Sequence, residues 1–145
     1  MVPVQIRPAR KGDMAAIRRL IRLFPQQLAQ TNLPGLPSFF VAEHAGELVG
    51  CCALQIYSKR MAEVRSLAVR PEFQDRGVAS KLVRRCTERA GERGIRELFA
   101  VTSQTSFFER LGFATFRREK TAMFFEAAGG PATTKRRAGK PERPS

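Results

Sequence analysis

A charged loop between an apolar strand and a helical run is the part of this chain best suited to binding an anion. The stretch VRPEFQDRGVASKLV, residues 69–83, ends a strand near Val69 and starts a helical run near Gly77. The first amides of a helix lack intrahelical acceptors and lie at the positive end of its dipole, so they bind phosphate well. Gly77 would let a bulky ligand approach the backbone, and Arg76 would add charge at the rim. An ordinary strand-to-helix turn is the alternative, because so short a pattern is weakly specific.

The strand before this loop carries two charged residues at alternate positions. Side chains alternate between the faces of a strand, so one face of AEVRSLAV, residues 62–69, is expected to carry Glu63, Arg65, Leu67 and Val69. Two charges on one face of a strand that leads into an anion-binding loop indicate that this face lines a cleft.

The N-terminal elements supply the first half of a sheet. VQIRPA alternates as a short strand, Asp13 is a candidate N-cap, and apolar residues follow at helical spacing until Pro25. Residues 26–37 contain two prolines and a glycine and are expected to form a variable connection, with a short helix as one option. Residues 38–58 read as two strands around a tight turn from His44 to Glu47.

The second half alternates helices and strands. One helix runs from Gly77 to Gly94, and RELFAVT follows as an interior strand. Ser103 is expected to cap a short helix that ends at Gly112, and KTAMFFE, residues 120–126, is expected to be the last strand. The whole order predicts an α+β (mixed α/β) fold, with helices on the faces of one mixed sheet.

Composition narrows the class of protein. The 145 residues are enough for one domain, no apolar run reaches the roughly 20 residues of a membrane helix, and no secretory signal precedes the first strand. We therefore expect a cytoplasmic chain without membrane contacts. The cysteines, Cys51, Cys52 and Cys86, have neither disulfide nor metal-ligand spacing and are expected to be buried thiols, so no metal is predicted.

The net charge of +13 predicts an acidic partner, either a polyanionic small molecule or nucleic acid. Residues 129–145 hold five Lys or Arg and one Glu and almost no large apolar side chain, so we expect a disordered basic tail there. Without that tail the body keeps 21 basic and 12 acidic residues, a net charge of +9. A ligand carrying several phosphates suits this body as well as RNA does.

The loop and its surroundings resemble the GNAT superfamily of acetyl-CoA-dependent N-acetyltransferases. The superfamily signature Gln/Arg-x-x-Gly-x-Gly/Ala is matched by Gln74, Gly77 and Ala79, and a segment similar to FYEKLGF lies at residues 107–113. The resemblance covers roughly residues 2–126, so it implies a GNAT domain over residues 1–128. It also implies a largely antiparallel sheet of six to seven strands flanked by about four helices.

The resemblance implies acetyl-CoA as the cosubstrate. The amides of the loop would bind its pyrophosphate, and the backbone of Leu67 to Val69 would pair with its pantetheine arm like an extra strand. An amide near Leu67 or Ala68 would polarise the thioester carbonyl. The implied cofactor-binding residues are Leu67, Ala68, Val69, Gln74, Asp75, Arg76, Gly77, Val78, Ala79, Ser80 and Phe108.

Acetyl transfer to an amine needs a neutral nucleophile, a polarised thioester and a leaving thiolate. Glu63 is the candidate general base, with a surface pairing to Arg65 or Lys59 as the alternative. Arg65 is the candidate for holding a substrate carboxylate, with a surface salt bridge as the alternative. Phe108 stands where the superfamily often has a tyrosine as general acid, so water would protonate the thiolate or no acid is needed.

Two segments, FAVTSQTSFFERLGF and AEVRSLAV, are similar to the acetyltransferase domain of N-acetylglutamate synthase and its short stand-alone relatives. This likeness implies acetylation of the α-amine of a small amino acid such as glutamate, with Arg65 and Arg7 facing the acidic substrate. Other small amines, a polyamine or a protein are the alternatives within the class.

Two further classes stay open: a nucleic-acid- or ribosome-associated binding module, and a regulator that binds acetyl-CoA without turnover. The first lacks an interleaved aromatic and basic pattern, so nucleic acid is not the expected partner, although the tail offers charge for such contacts. Superfamily members often dimerise, and the adjacent Phe124 and Phe125 hint at a homodimer through the last strand.

Overall fold

The computed structural model describes residues 3–115, which form one five-stranded sheet and three α-helices. The strands are β1 (Gln5–Pro8), β2 (Phe39–His44), β3 (Glu47–Ile56), β4 (Met61–Val69) and β5 (Glu97–Phe99). The helices are α1 (Met14–Arg22), α2 (Val78–Glu92) and α3 (Thr105–Arg110), with short 3-10 turns at Leu36–Ser38 and Pro71–Phe73. The sheet order is β1-β2-β3-β4-β5, antiparallel except for the parallel β4–β5 pair. This confirms the mixed α+β fold.

The predicted number of elements is not borne out. Six to seven strands and about four helices were expected, whereas residues 3–115 contain five strands and three α-helices. The helix considered within residues 26–37 does not form; only the 3-10 turn at Leu36–Ser38 occurs there. Pro34 and Pro37 lack the amide that a helix interior needs, and Gly35 has an extended ψ of 162°.

Three predictions fall outside the described residues. They are the last strand at residues 120–126, the dimer contact through Phe124 and Phe125, and the basic tail at residues 129–145. The domain boundary at residue 128 lies there as well and stays a prediction. Among residues 3–115, no helix combines the length and the apolarity that crossing a bilayer requires.

Helices α1 and α2 cover opposite faces of the sheet, because alternate residues of β2 and β3 point to opposite sides. Helix α1 buries Ile17, Leu20 and Ile21 against one set of strand residues: Phe39, Val41, Cys51, Ala53 and Ala68. Helix α2 packs its own apolar stripe against the alternate set, which includes Phe40, Cys52, Leu54, Val64 and Val69. Each fully buried Leu or Ile stabilises this arrangement by roughly 1.5–3 kcal/mol.

The ends of the helices agree only in part with the sequence patterns. Asp13 occupies the N-cap position of α1, but its side chain makes no capping bond there; it accepts hydrogen bonds from Arg7 and from the amide of Arg10. Helix α3 begins after Gln104, so the predicted cap at Ser103 is wrong. Gly112 does end α3, since its φ of 98° turns the chain and Phe113 N donates back to Phe108 O at 3.1 Å.

Strand β4 contains a bulge that changes which face its side chains occupy. Arg65 is opposite Ala53 and Ala68 is opposite Cys51, so two residues, Ser66 and Leu67, face a single residue of β3. Ser66 has a φ of 57°, which marks the irregularity. Beyond the bulge, Leu67 and Val69 pack on the α2 side, whereas Ala68 packs on the α1 side. The prediction that Glu63, Arg65, Leu67 and Val69 share one face is therefore wrong, because strict alternation requires a regular strand.

Candidate active site

The loop from Arg70 to Ser80 presents a row of free backbone amides. The 3-10 turn ends with Gln74 N donating to Pro71 O at 3.2 Å, and the first helical bond of α2 is Lys81 N to Gly77 O at 3.1 Å. Between these two bonds, no acceptor within residues 3–115 pairs with the six amides of residues 75–80. The amides at the start of α2 also lie at the positive end of its dipole, so this row can bind an anion such as a diphosphate.

The conformation of this row depends on two residues in the left-handed region. Asp75 has a φ of 61° and Gly77, the N-cap of α2, a φ of 83°. A Cβ at residue 77 would meet nothing within 4 Å. The structure therefore requires Gly77 for its backbone angle, rather than for the close approach that the sequence suggested.

Contacts of side chains from the loop itself and from strand β2 stabilise the loop. Gln74 Nε2 donates to Val69 O at 2.9 Å, which ties the loop to the end of β4. The Arg76 guanidinium lies 5.1 Å from the centroid of the Phe73 ring, and the His44 ring packs against the same Phe73 ring with centroids 5.0 Å apart. Gln74 thus supports the loop through its side chain, and the amides remain the groups that face outwards.

One edge of β4 is open next to this loop. Strand β5 pairs only with Met61, Ala62 and Glu63, and within residues 3–115 no strand pairs with residues 64–69 on that side. The side chains of Ala68 and Val69 are buried, so the strand offers its backbone there. An extended chain containing amides could add to such an edge through main-chain hydrogen bonds, as predicted for Leu67 to Val69.

Glu63 and Arg65 lie on the α1 face of β4, before the bulge. Glu63 Oε1 accepts a hydrogen bond of 2.6 Å from Tyr57 Oη. Arg65 donates to Gln55 Oε1 at 3.4 Å and to Asn32 O at 3.3 Å. Neither of the surface ion pairs considered as alternatives, Glu63 with Arg65 or with Lys59, is present among the described residues.

The sequence patterns did not predict the partners of Glu63 and Arg65, which are Tyr57, Gln55 and Asn32. Gln55 is opposite Glu63 in the β3–β4 register, and Tyr57 N donates to Met61 O at the hairpin end. Pairing the two strands across residues 57–61 would have placed Tyr57 near Glu63. Burial and then the bond to Glu63 raise the pKa of Tyr57, so this phenol keeps its proton.

Arg7 serves the fold and is remote from β4 in the sheet order. Its guanidinium contacts Asp13 Oδ2 and Glu43 Oε1, both at 2.8 Å, and β1 is separated from β4 by two strands. The hydrogen bond from Arg7 lowers the pKa of Asp13. Because a substrate would have to displace one of these two carboxylates, we do not retain Arg7 as a substrate-binding residue.

Phe108 and the cysteines belong to the core. Phe108 is 7% exposed and packs edge-on against Phe107 and Phe113, with ring centroids 5.0 and 5.1 Å away. Its predicted contact with the cofactor stays a prediction. All three cysteines are free and fully buried, as expected, and burial raises the pKa of Cys51 to about 12. The Cys51 thiol therefore stays protonated at neutral pH and is a poor nucleophile.

Comparison with known proteins agrees with this geometry. The family model described as an acetyltransferase (GNAT) domain matches residues 36–115, more than half of the chain. An amino-acid acetyltransferase of Mycobacterium tuberculosis is 34% identical over 116 residues, which cover 74% of this chain and 67% of that protein.

Two solved structures have the same fold. One is a Mycobacterium tuberculosis protein in complex with CoA and the ligand NLQ, with a TM-score of 0.74, 31% identity and coverage of 78% of this chain and 73% of that chain. The other is N-acetylglutamate synthase from Neisseria gonorrhoeae with CoA and N-acetyl-glutamate, with a TM-score of 0.71 and 30% identity. This match covers 83% of this chain and 30% of that longer chain. The protein therefore belongs to the GNAT family and is an N-acetyltransferase that uses acetyl-CoA.

Proposed function

We propose that this enzyme acetylates the α-amine of a small acidic amino acid such as glutamate, by direct attack in a ternary complex. The observation that carries the proposal is that Glu63 and Arg65 lie on one face of β4, before the strand edge and loop that fit acetyl-CoA. A carboxylate and a guanidinium there are complementary to an ammonium and a carboxylate. The similarity to amino-acid acetyltransferases and to a synthase solved with N-acetyl-glutamate supports the same acceptor.

Arg65 is proposed to bind the acceptor carboxylate. Its present partners are a neutral amide and a backbone carbonyl at 3.4 and 3.3 Å, both at the long end of hydrogen-bond distances. A carboxylate could replace them and form two parallel, charge-assisted bonds. Arg7, by contrast, already binds two carboxylates at 2.8 Å.

Glu63 is proposed to act as the general base. It would take a proton from the acceptor ammonium, directly or through one water, so that the neutral amine can attack. Only Oε1 of its carboxylate is bonded within residues 3–115, so Oε2 is available for that proton. Acetyl-CoA supplies the acetyl group as a thioester.

The backbone and the solvent would complete the reaction. An amide near Leu67 or Ala68, next to the bulge, would donate a hydrogen bond to the thioester carbonyl as negative charge develops on it. The new C–N bond forms as the C–S bond breaks, and the coenzyme A thiolate leaves. Phe108 has no hydroxyl to protonate that thiolate, so water would do so.

The net charge of +13 favours this acceptor over its alternatives within the class. A polyamine or a basic protein segment would be repelled by the same field that attracts an acidic amino acid and the phosphates of the cofactor. A homodimer stays a prediction.

The test is CoA release by the full 145-residue chain with a panel of amines at equal concentration. We expect glutamate to give a kcat/KM at least about tenfold above norvaline, which lacks the second carboxylate, and above spermidine. A higher value for spermidine or for a lysine peptide would contradict the proposed acceptor. Thermal stabilisation by acetyl-CoA without CoA release from any amine would instead identify a non-catalytic regulator.

A further inference from the structure

The carboxylate of Glu63 is held by a neighbouring phenol rather than by a cation. Tyr57 Oη donates to Glu63 Oε1 over 2.6 Å, a short distance typical of bonds to an ionised oxygen. Within residues 3–115, Glu63 takes part in no ion pair. This contact joins the residue after the end of β3 to the third residue of β4.

We propose that Tyr57 is a positioning residue for acetyl transfer: its hydroxyl fixes one oxygen of Glu63 and leaves Oε2 to accept the proton of the amine. This inference rests on the proposed role of Glu63 as the base. It assigns a function to the tyrosine of a chain whose short helix carries Phe108 instead.

The position of the phenol is set from two sides. Tyr57 N donates to Met61 O at 2.9 Å, and the Tyr57 ring stacks on Phe99 with centroids 6.3 Å apart and an angle of 19°. Phe99 is itself the register partner of Glu63 across the β4–β5 pair. The backbone bond and the ring contact therefore aim the hydroxyl at the carboxylate.

The bond to Glu63 is not needed to satisfy a buried hydroxyl. Tyr57 is 54% exposed, so water could serve its hydroxyl as well. An exposed phenol that is nevertheless ordered onto a carboxylate indicates a role for the contact itself. The stability of the fold depends little on a contact of this kind at the surface.

Within residues 3–115, Arg65 is the charged group besides Glu63 that acts on the Tyr57 hydroxyl, and the neighbouring ring of Phe99 on β5 is uncharged. Burial and the bond to Glu63 raise the pKa of Tyr57, and Arg65 opposes them with a smaller effect. The phenol therefore remains a donor at neutral pH, so its bond to Glu63 Oε1 persists there.

The test compares Tyr57→Phe with the wild-type enzyme over the pH range in which glutamate is acetylated. We expect kcat to fall about tenfold, because the carboxylate that takes the proton is no longer held in place. The KM for acetyl-CoA and the melting temperature should stay unchanged, because the ring and its stacking are kept. Arg60→Gln, an exposed change in the same turn, is the matched control and should leave kcat unchanged.

A second measurement does not depend on turnover. The δ-carboxyl resonance of Glu63, assigned by its absence in Glu63→Gln, is compared at pH 7 by 13C NMR in the wild-type and Tyr57→Phe proteins, because loss of a donated hydrogen bond changes the chemical shift of a carboxylate. An unchanged chemical shift overturns the inference, whatever the acceptor. If Tyr57→Phe has a normal kcat while Glu63→Gln is slow, the role of Tyr57 is wrong and the base role stands. If Glu63→Gln itself has a normal rate, the base role fails together with the inference.

Discussion

The two halves of the proposed site are built in different ways. The proposed cofactor half consists of backbone groups: six amides at residues 75–80 without an acceptor in residues 3–115, and the open edge of β4. The proposed acceptor half consists of side chains, Tyr57, Glu63 and Arg65, that come from the region of the β3–β4 hairpin. Backbone groups are the same in every protein, whereas side chains define which amine is accepted.

This difference explains how one family can use one donor with many acceptors. A row of amides needs only the correct backbone angles, and Gly77, at φ 83°, is a residue of this row whose angle favours glycine. A carboxylate and a guanidinium need particular neighbours to set their direction and charge. Mutations should therefore separate cofactor binding from chemistry; three predictions test that separation, and a fourth tests the scaffold.

The largest effect is expected for Glu63→Gln. If Glu63 is the base, kcat for glutamate should fall by about 10²- to 10⁴-fold, while acetyl-CoA affinity stays within about twofold. Steady-state CoA release and calorimetric titration of acetyl-CoA measure the two quantities. Glu97→Gln, on the neighbouring strand β5, is the control and should retain full activity. A normal kcat in Glu63→Gln would remove this residue from the mechanism.

Arg65→Ala should affect the acceptor and spare the cofactor. Loss of a charge-assisted pair corresponds to about a 10- to 100-fold rise in the KM for glutamate. Arg65→Lys should recover only part of it, because an ammonium lacks the planar fork of donors. Arg7→Ala is the matched control, with lower stability and an unchanged KM. The assignment of the two arginines would be reversed if Arg7→Ala alone raised the KM.

Gly77→Ala should weaken the cofactor half alone. An alanine at φ 83° costs about 1–2 kcal/mol, so the loop should either lose stability or change its angles and bind acetyl-CoA about tenfold more weakly. Gly91→Ala is a close control: it lies in the same helix, a Cβ there also meets nothing within 4 Å, and its φ is not positive. That change should stabilise α2 by about 0.5–1 kcal/mol. Equal acetyl-CoA affinity in both variants would contradict the importance of the loop angle.

The smallest effect concerns the scaffold. The hydrogen bond from Arg7 lowers the pKa of Asp13. The contribution of this contact to the free energy of unfolding is therefore fully present above about pH 4 and is lost as the pH falls below that value. Asp13→Asn should cost about 1 kcal/mol of unfolding free energy at pH 7 and much less near pH 3. Urea unfolding at the two pH values measures this. An equal loss at both would show that the charge of Asp13 is not involved.

The sequence predicted the elements whose signals are local. The hairpin around residues 44–47, the helix after Gly77 and the glycine end of α3 all agree with the structure. The predictions that failed depended on tertiary context. Ser66 bends β4 through a bulge that no periodicity marks, and Asp13 binds Arg7 instead of capping α1. The helix considered within residues 26–37 failed for a local reason instead, because its own prolines lack the amide that a helix interior needs.

By itself, the sequence determined the conformation of the loop proposed to bind phosphate, because a glycine and a helix start fix backbone angles within a few residues. It also determined that the cysteines are core residues, since their neighbours are apolar. Only the tertiary structure decided that Tyr57, just after the end of β3, donates a hydrogen bond to Glu63 on β4. It also decided which partners surround Arg7 and Arg65. One arginine is bound by two carboxylates and the other by weak neutral partners, and that distinction arises from packing between distant segments.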